Sequence, residues 1–183
     1  MKATQQLKED HESILIMISV LEKISDDLEK GKELNTEECS SVIDFIKIFA
    51  DKSHHGKEEE HLFPAMENHG FGHDSGPIAV MLDEHEMGRS YIRGLNSALN
   101  DFKDGNKEAV KDIISNSREY AFLLRNHIDK ENNILFEMAD KVIDEKEQET
   151  LYNAFVKIEE ERMGSAKHEE YLKLLNHLKS IYL

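Results

Sequence analysis

Apolar residues return every three or four positions along four long stretches of this chain, the step that lines one face of a helix. The first stretch aligns Leu7, Ile14, Ile18, Leu21 and Leu28, and His11 falls in the same line. Gly31 and Asn35 interrupt it, and Asn35 followed three residues later by Glu38 has the form of a cap for a second helix. That second stretch places Ile43, Ile46, Ala50, His54 and Glu58 on one stripe and runs on toward Met66. Residues 68–77 have the Gly, Asn and Pro content of a loop, and Pro77 suits the first turn of the helix after it. The third stripe is Ile78, Met81, His85, Gly88, Ile92, Leu95 and Leu99; after a turn at Asp104-Gly105-Asn106, the fourth is Ile113, Tyr120, Leu124, His127, Glu131, Ile134 and Met138. A fifth helical segment from about Glu147 to Leu183 carries Leu151, Phe155, Ile158, Leu174, Leu178 and Tyr182, with a break or bend at Gly164-Ser165.

This pattern predicts an all-α chain: an antiparallel up-down four-helix bundle over residues 1–145, and a C-terminal helical segment, 146–183, packed on the same domain. There is no internal repeat, no low-complexity tract and no linker long enough to separate domains. Two Pro and nine Gly in 183 residues agree with long helices and few turns. With 38 Asp and Glu against 23 Lys and Arg the formal charge is −15, which argues against nucleic acid or an anionic membrane surface as partner. No stretch approaches the roughly 18 to 20 apolar residues of a membrane span, and the opening residues lack the apolar core of a signal peptide. A single cysteine, Cys39, permits neither an internal disulfide nor a thiolate metal site, so the expected setting is reduced and cytoplasmic. The ten histidines point to imidazole and carboxylate chemistry instead.

Each of the four main helices puts one histidine into an otherwise apolar seam: His11, His54, His85 and His127. Two of them have a glutamate one turn later, in His54-x-x-x-Glu58 and His127-x-x-x-Glu131. Residues four apart lie above one another on a helix, so an imidazole and a carboxylate can reach one point inside a bundle. A carboxylate facing a core is costly unless a cation compensates it, and a metal pair would compensate two of them together. A lone seam histidine is more often a hydrogen-bonded core residue than a ligand; one histidine per seam with two glutamates one turn on favours metal. Nitrogen and carboxylate donors without thiolate suit iron, zinc, manganese or nickel, and two facing carboxylates favour iron or manganese.

These residues are similar to those of the hemerythrin-like, HHE cation-binding domains. The resemblance runs in order from Leu7 to Met138. It rests on Asp10-His11-Glu12-x-Ile14, on His54-His55-Gly56-Lys57-Glu58-Glu59-x-x-Leu62-Phe63-Pro64, on Glu84-His85-Glu86-x-Gly88-Arg89, and on His127-Ile128-x-Lys130-Glu131-x-x-x-Leu135-Phe136. It implies that His11, His54, His85 and His127 are terminal ligands of two iron ions, bridged by Glu58, Glu131 and an oxo or hydroxo group. His55, about 100° around a helix from His54, suits equally a supporting position, an extra ligand or the surface. Glu59 reads as solvated, His61 as able to face the bundle, and His69, His73, His168 and His177 as loop or surface. Met81, Met87 and Met138 read as core filling.

The oxygen-carrying members of the family have a second histidine one turn after the first on the third helix. Here that position is Arg89. Four histidines in place of five leave more open coordination and favour reaction or sensing over storage. The expected function is therefore a non-haem di-iron protein that binds or reacts with dioxygen, peroxide or nitric oxide in a sensing, redox or stress-response role, served by an unidentified electron donor. A family branch associated with repairing iron centres usually adds a Cys-containing N-terminal domain that this sequence lacks, which ranks repair below oxidant binding or sensing, with a ferritin-like protein as the runner-up. A ferritin-like oxidase or iron store uses Glu-x-x-His twice, whereas here it occurs once, at Glu58 to His61. A metal-free helical interaction module is the remaining alternative.

Overall fold

The structure, a computed structural model, describes residues 2–183, and these form six helices without strands. Helix α1 spans Ala3–Glu29 and ends where Gly31 takes a positive φ. Helix α2 (residues 36–68) starts on Asn35, whose Oδ1 accepts from the Glu38 amide at 3.1 Å, the cap expected from sequence. Helix α3 is Gly76–Lys103, with Pro77 in its first turn, and α4 (residues 110–142) follows a short 3₁₀ turn at Lys107–Ala109. The C-terminal segment is two helices, α5 (Glu145–Arg162) and α6 (Ser165–Tyr182), divided at Gly164 as the sequence indicated. Both pack against α1, and α5 also lies on the central part of α2.

Helices α2 and α4 are not uniform. In α2 the winding loosens to π geometry over Ile46–His55 and again over Glu58–Leu62; in α4 it does so over Glu131–Leu135. The second loosening ends just before Pro64, whose missing N–H takes one donor out of the ladder. Each glutamate of the His-x-x-x-Glu pairs opens a π turn, and each turn closes on a buried Leu-Phe pair, Leu62-Phe63 and Leu135-Phe136. The extra residue per turn advances the apolar stripe by one place. Ile134, expected in the fourth seam, is consequently 54% exposed, and Leu135 and Phe136 hold the interior. Met87, expected as core filling, is 47% exposed; Met81 is buried and Met138 partly so.

The interior is layered along the helix axes. One apolar cluster contains Ile14, Ile18, Ala50, Ile92, Leu95 and Leu124; the other contains Leu7, Leu62, Phe63, Met81, Leu135 and Phe136. Between them lies a polar layer holding His11, His54, Glu58, His85, His127 and Glu131, all buried. Apolar packing above and below supplies the rigidity that keeps so many polar groups in register.

Candidate metal centre

All six residues predicted from the sequence meet in this layer, and a seventh joins them. Their donor atoms fall into two groups of four, each with its atoms within 4.8 Å of one another: His11, His54, Glu58 and Glu131, and His55, Glu58, His85 and His127. Glu58 is common to both, with Oε1 3.5 Å from His54 Nε2 and Oε2 3.5 Å from His85 Nε2. Glu131 also reaches both sides, its Oε2 lying 3.2 Å from His11 Nε2 and from His127 Nε2. His55 is the residue whose place the sequence left undecided. It is buried, with its ring stacked on His85. Tightly wound α-helix would turn it away from His54; π winding over Ile46–His55 spaces consecutive side chains by a smaller angle, so both neighbours face inward.

Outward from the centre, the Nδ1 atoms of the four predicted histidines are held in a closed cycle. Asp10 of α1 contacts His54 of α2 at 3.2 Å, and Glu59 of α2 contacts His85 of α3 at 2.7 Å. Glu84 of α3 contacts His127 of α4 at 2.9 Å, and Asn132 of α4 contacts His11 of α1 at 2.8 Å. Every one of these partners adjoins a centre residue in sequence: Asp10 beside His11, Glu59 beside Glu58, Glu84 beside His85, Asn132 beside Glu131. With Nδ1 engaged outward, Nε2 is the atom each ring turns to the interior, which is how ligating histidines are oriented. Glu59, expected to be solvated, is thus a working member of the site. His55 is held less closely, by Asp51 at 3.3 Å.

Arg89 takes no place in the centre. Its guanidinium binds Asp51 at 2.8 Å and Glu59 at 2.6 Å, fixing the carboxylates behind His55 and His85. Lys57, 1% exposed, is held between Asp10 and Glu159 of α5 at 2.9 Å each, which ties the C-terminal helices to the carboxylate behind His54. His61 lies against Phe155, outside the layer; His69, His73 and His168 pair with Glu147, Glu67 and Glu159, and His177 is exposed.

The electrostatics identify what this arrangement lacks by itself. Six buried atoms, His11 Nε2, His54 Nε2 and the four carboxylate oxygens of Glu58 and Glu131, have no hydrogen-bond partner among the described residues. The close approaches of His11 and His127 to Glu131 and of His54 and His85 to Glu58 lack hydrogen-bond alignment. Burial, reinforced by the charge of Glu131, drives Glu58 well above the usual carboxylate range. Burial pushes Glu131 up as well, but His127 and His11 outweigh it and hold it well below. Burial and neighbouring His11 push His54 down to about 3, and burial with His55 and His127 holds His85 far down. Burial would lower His127 too, yet Glu131 and Glu84 raise it to about 9, so a proton on its Nε2 can bridge the 3.1 Å to His85 Nε2. Imidazole lone pairs and unpartnered carboxylate oxygens converging in two groups fit cations at both positions.

The family model described as the hemerythrin HHE cation binding domain matches residues 2–139. The chain belongs to this family of metal-binding helical proteins. A probable iron-sulfur cluster repair protein of Haemophilus influenzae is 34% identical to it over 108 residues, 57% of this chain and 47% of that protein. The chain thus spans about half the length of the curated relative it matches. No solved structure shows a significant match. Among the described residues, no helix is long and apolar enough to cross a membrane.

Proposed function

We infer that the chain holds two iron ions and meets a small oxidant, dioxygen, peroxide or nitric oxide, in a redox or stress-response role. The observation that carries this reading is the sharing of Glu58 and Glu131 between two groups of inward nitrogen atoms. His11 and His54 would serve one ion and His55, His85 and His127 the other, with both glutamates common to the pair. Iron so held supplies a change of oxidation state and a position for a small molecule. The protein supplies the rest: Asp10, Glu59, Glu84 and Asn132 fix the imidazoles, and two apolar clusters keep water from the layer. Five imidazoles, not four, face the centre, so the case for reactivity rests on the shared glutamates and not on an empty ligand position opposite Arg89. A reduced cytoplasm suits the one cysteine, Cys39, buried and unpaired.

The second reading is service to damaged iron centres, favoured by the printed description of the Haemophilus influenzae relative. One measurement tests both: iron content and visible spectrum of the purified protein, then the same spectrum after nitric oxide or peroxide. Two irons per chain with oxo-bridged ferric bands that respond to the added oxidant support the first reading. Iron that passes to an apo iron–sulfur acceptor protein supports the second. A chain that binds no metal with both glutamates intact defeats both.

A further inference from the structure

Behind His55 a pocket of about 160 Å³, open to solvent on its outer side, lies between α2, α3 and α4. Its inner wall is Ile46, Gly88, Ile92 and Tyr120, with the His55 imidazole as the side nearest the metal layer. Asp51 and Arg89 stand at its rim, already paired with each other, and Arg89 is further engaged by Glu59. An apolar cavity of about 150 Å³ holds a xenon atom or a benzene molecule, and one of this size excludes a nucleotide or a flavin. Gly88 preserves the space: a Cβ there would lie 3.4 Å from Leu124 and 3.5 Å from the Tyr120 ring, next to its hydroxyl-bearing carbon.

Tyr120 is the second observation. Its ring is buried, two turns before His127 on the same face of α4, and it lines the pocket with its hydroxyl uncommitted to another side chain among the described residues. A hydroxyl on the wall of a pocket, free to donate, suits an occupant that accepts from it. The charged residues Lys47, Asp51, Arg89 and Arg93 line the outer part, with Arg89 paired to Asp51 and Glu59 and Arg93 to Glu86, whereas the inner wall is apolar and favours an uncharged occupant.

We propose that this chamber is a docking site for a small uncharged molecule, of the size of dioxygen, nitric oxide or hydrogen peroxide, which accepts a hydrogen bond from Tyr120 and rests against the outer face of His55. The identity of the occupant as an oxidant rests on the two-iron reading; the chamber itself does not. Xenon under pressure, followed by its ¹²⁹Xe shift in the metal-free protein, probes the volume. Stopped-flow binding of nitric oxide to the ferrous protein probes the hydrogen bond and the route. Xenon is expected to bind the wild type and to be excluded by Ile92→Phe and by Gly88→Val, both of which keep their iron. Tyr120→Phe keeps xenon but, with the docked population lowered by the loss of one neutral hydrogen bond, binds nitric oxide at iron about fivefold more slowly. The filled variants bind nitric oxide at least tenfold more slowly. No bound xenon in the wild type overturns the chamber even if iron is present. Nitric oxide kinetics unchanged in Tyr120→Phe and Ile92→Phe overturn its role. A protein that binds xenon but no iron removes the two-iron reading and leaves the chamber standing.

Discussion

His55 lies flat on His85, their ring centroids 3.8 Å apart and their planes 13° from parallel. A stacked pair with both Nε2 atoms directed inward makes His55 the fifth imidazole, delivered by α2 and not by the third helix. His55→Ala should therefore shift the ferric charge-transfer bands and speed iron loss to a chelator severalfold. Arg89→His should add no ligand, because that side chain faces Asp51 and Glu59; it should instead loosen His55 and His85 and reduce retained iron. An Arg89→His protein with tighter iron and a five-imidazole spectrum in the absence of His55 would refute this assignment.

Glu58 and Glu131 are each shared, so replacing either with Ala should lower iron from two per chain toward one or none. In the metal-free protein the opposite sign holds for Glu58. Its carboxyl is forced up by burial and by Glu131, and Glu58→Gln should leave the metal-free form at least as stable as the wild type. Iron analysis with paired melting curves checks both halves. Two irons and an unaltered spectrum in Glu58→Ala would mean that this residue is not shared.

Metal removal should destabilise the bundle, since the assembled centre exists only in the folded state. Free metal at a hundredfold over its dissociation constant is worth about 2.7 kcal/mol. In a chain of this size that is a fall in Tm of about 5–10 °C. Equal Tm values with and without iron, at fixed pH and ionic strength, count against a buried centre.

The histidines set the acid limit. Folding holds His54 near 3 and lowers His55 and His85, whereas the unfolded chain takes up these protons near 6.5. Their contribution to metal-free stability is present above about pH 6.5 and is lost as pH falls toward 3. His127, raised to about 9, works the other way: its contribution is full below about 6.5 and lost as pH climbs through 9. Urea midpoints of the metal-free protein should thus be highest near neutrality and fall on both sides. A midpoint that rises steadily from pH 7 to pH 5 would contradict the buried neutral histidines.

Glu159 lies outside the family match yet shares the Lys57 ammonium with Asp10. Glu159→Gln should cost about 2 kcal/mol in stability, the penalty for taking one partner from a buried charge. It should also hasten iron loss through His54, whose Nδ1 contact depends on Asp10. Lys57→Met, which removes the charge itself, should be milder in stability than Glu159→Gln while releasing iron as readily. Urea unfolding and chelator kinetics on the same samples separate the two effects.

The seam residues were legible because each lies on an uninterrupted three-and-four step: Leu7 to Ile14 around His11, Met81 to Ile92 around His85. What the step could not show was a change of winding. Nothing in the composition of Glu131–Leu135 announces a π turn, so Ile134 looked like interior and is surface. The same loosening upstream of His54 is why His55 could not be placed from a 100° rotation. Glu59 failed differently: its partner, His85, belongs to another helix, and a contact across helices leaves no periodic trace in either strip of sequence.

The cycle of Asp10, Glu59, Glu84 and Asn132 has a bearing on how such a domain can change over time. Each helix carries a centre residue for itself and, in the adjoining position, an anchor for its neighbour. Exchanging one helix for that of a distant relative severs two links of the four, one given and one received, even when every ligand is retained. Exchanging the α1–α2 hairpin as a unit also severs two, Glu59 to His85 and Asn132 to His11, so no division of the bundle into separately inherited halves is neutral. Ligand and neighbour's anchor have to drift together, which makes adjacent residue pairs, and not single histidines, the unit by which this centre is conserved or lost.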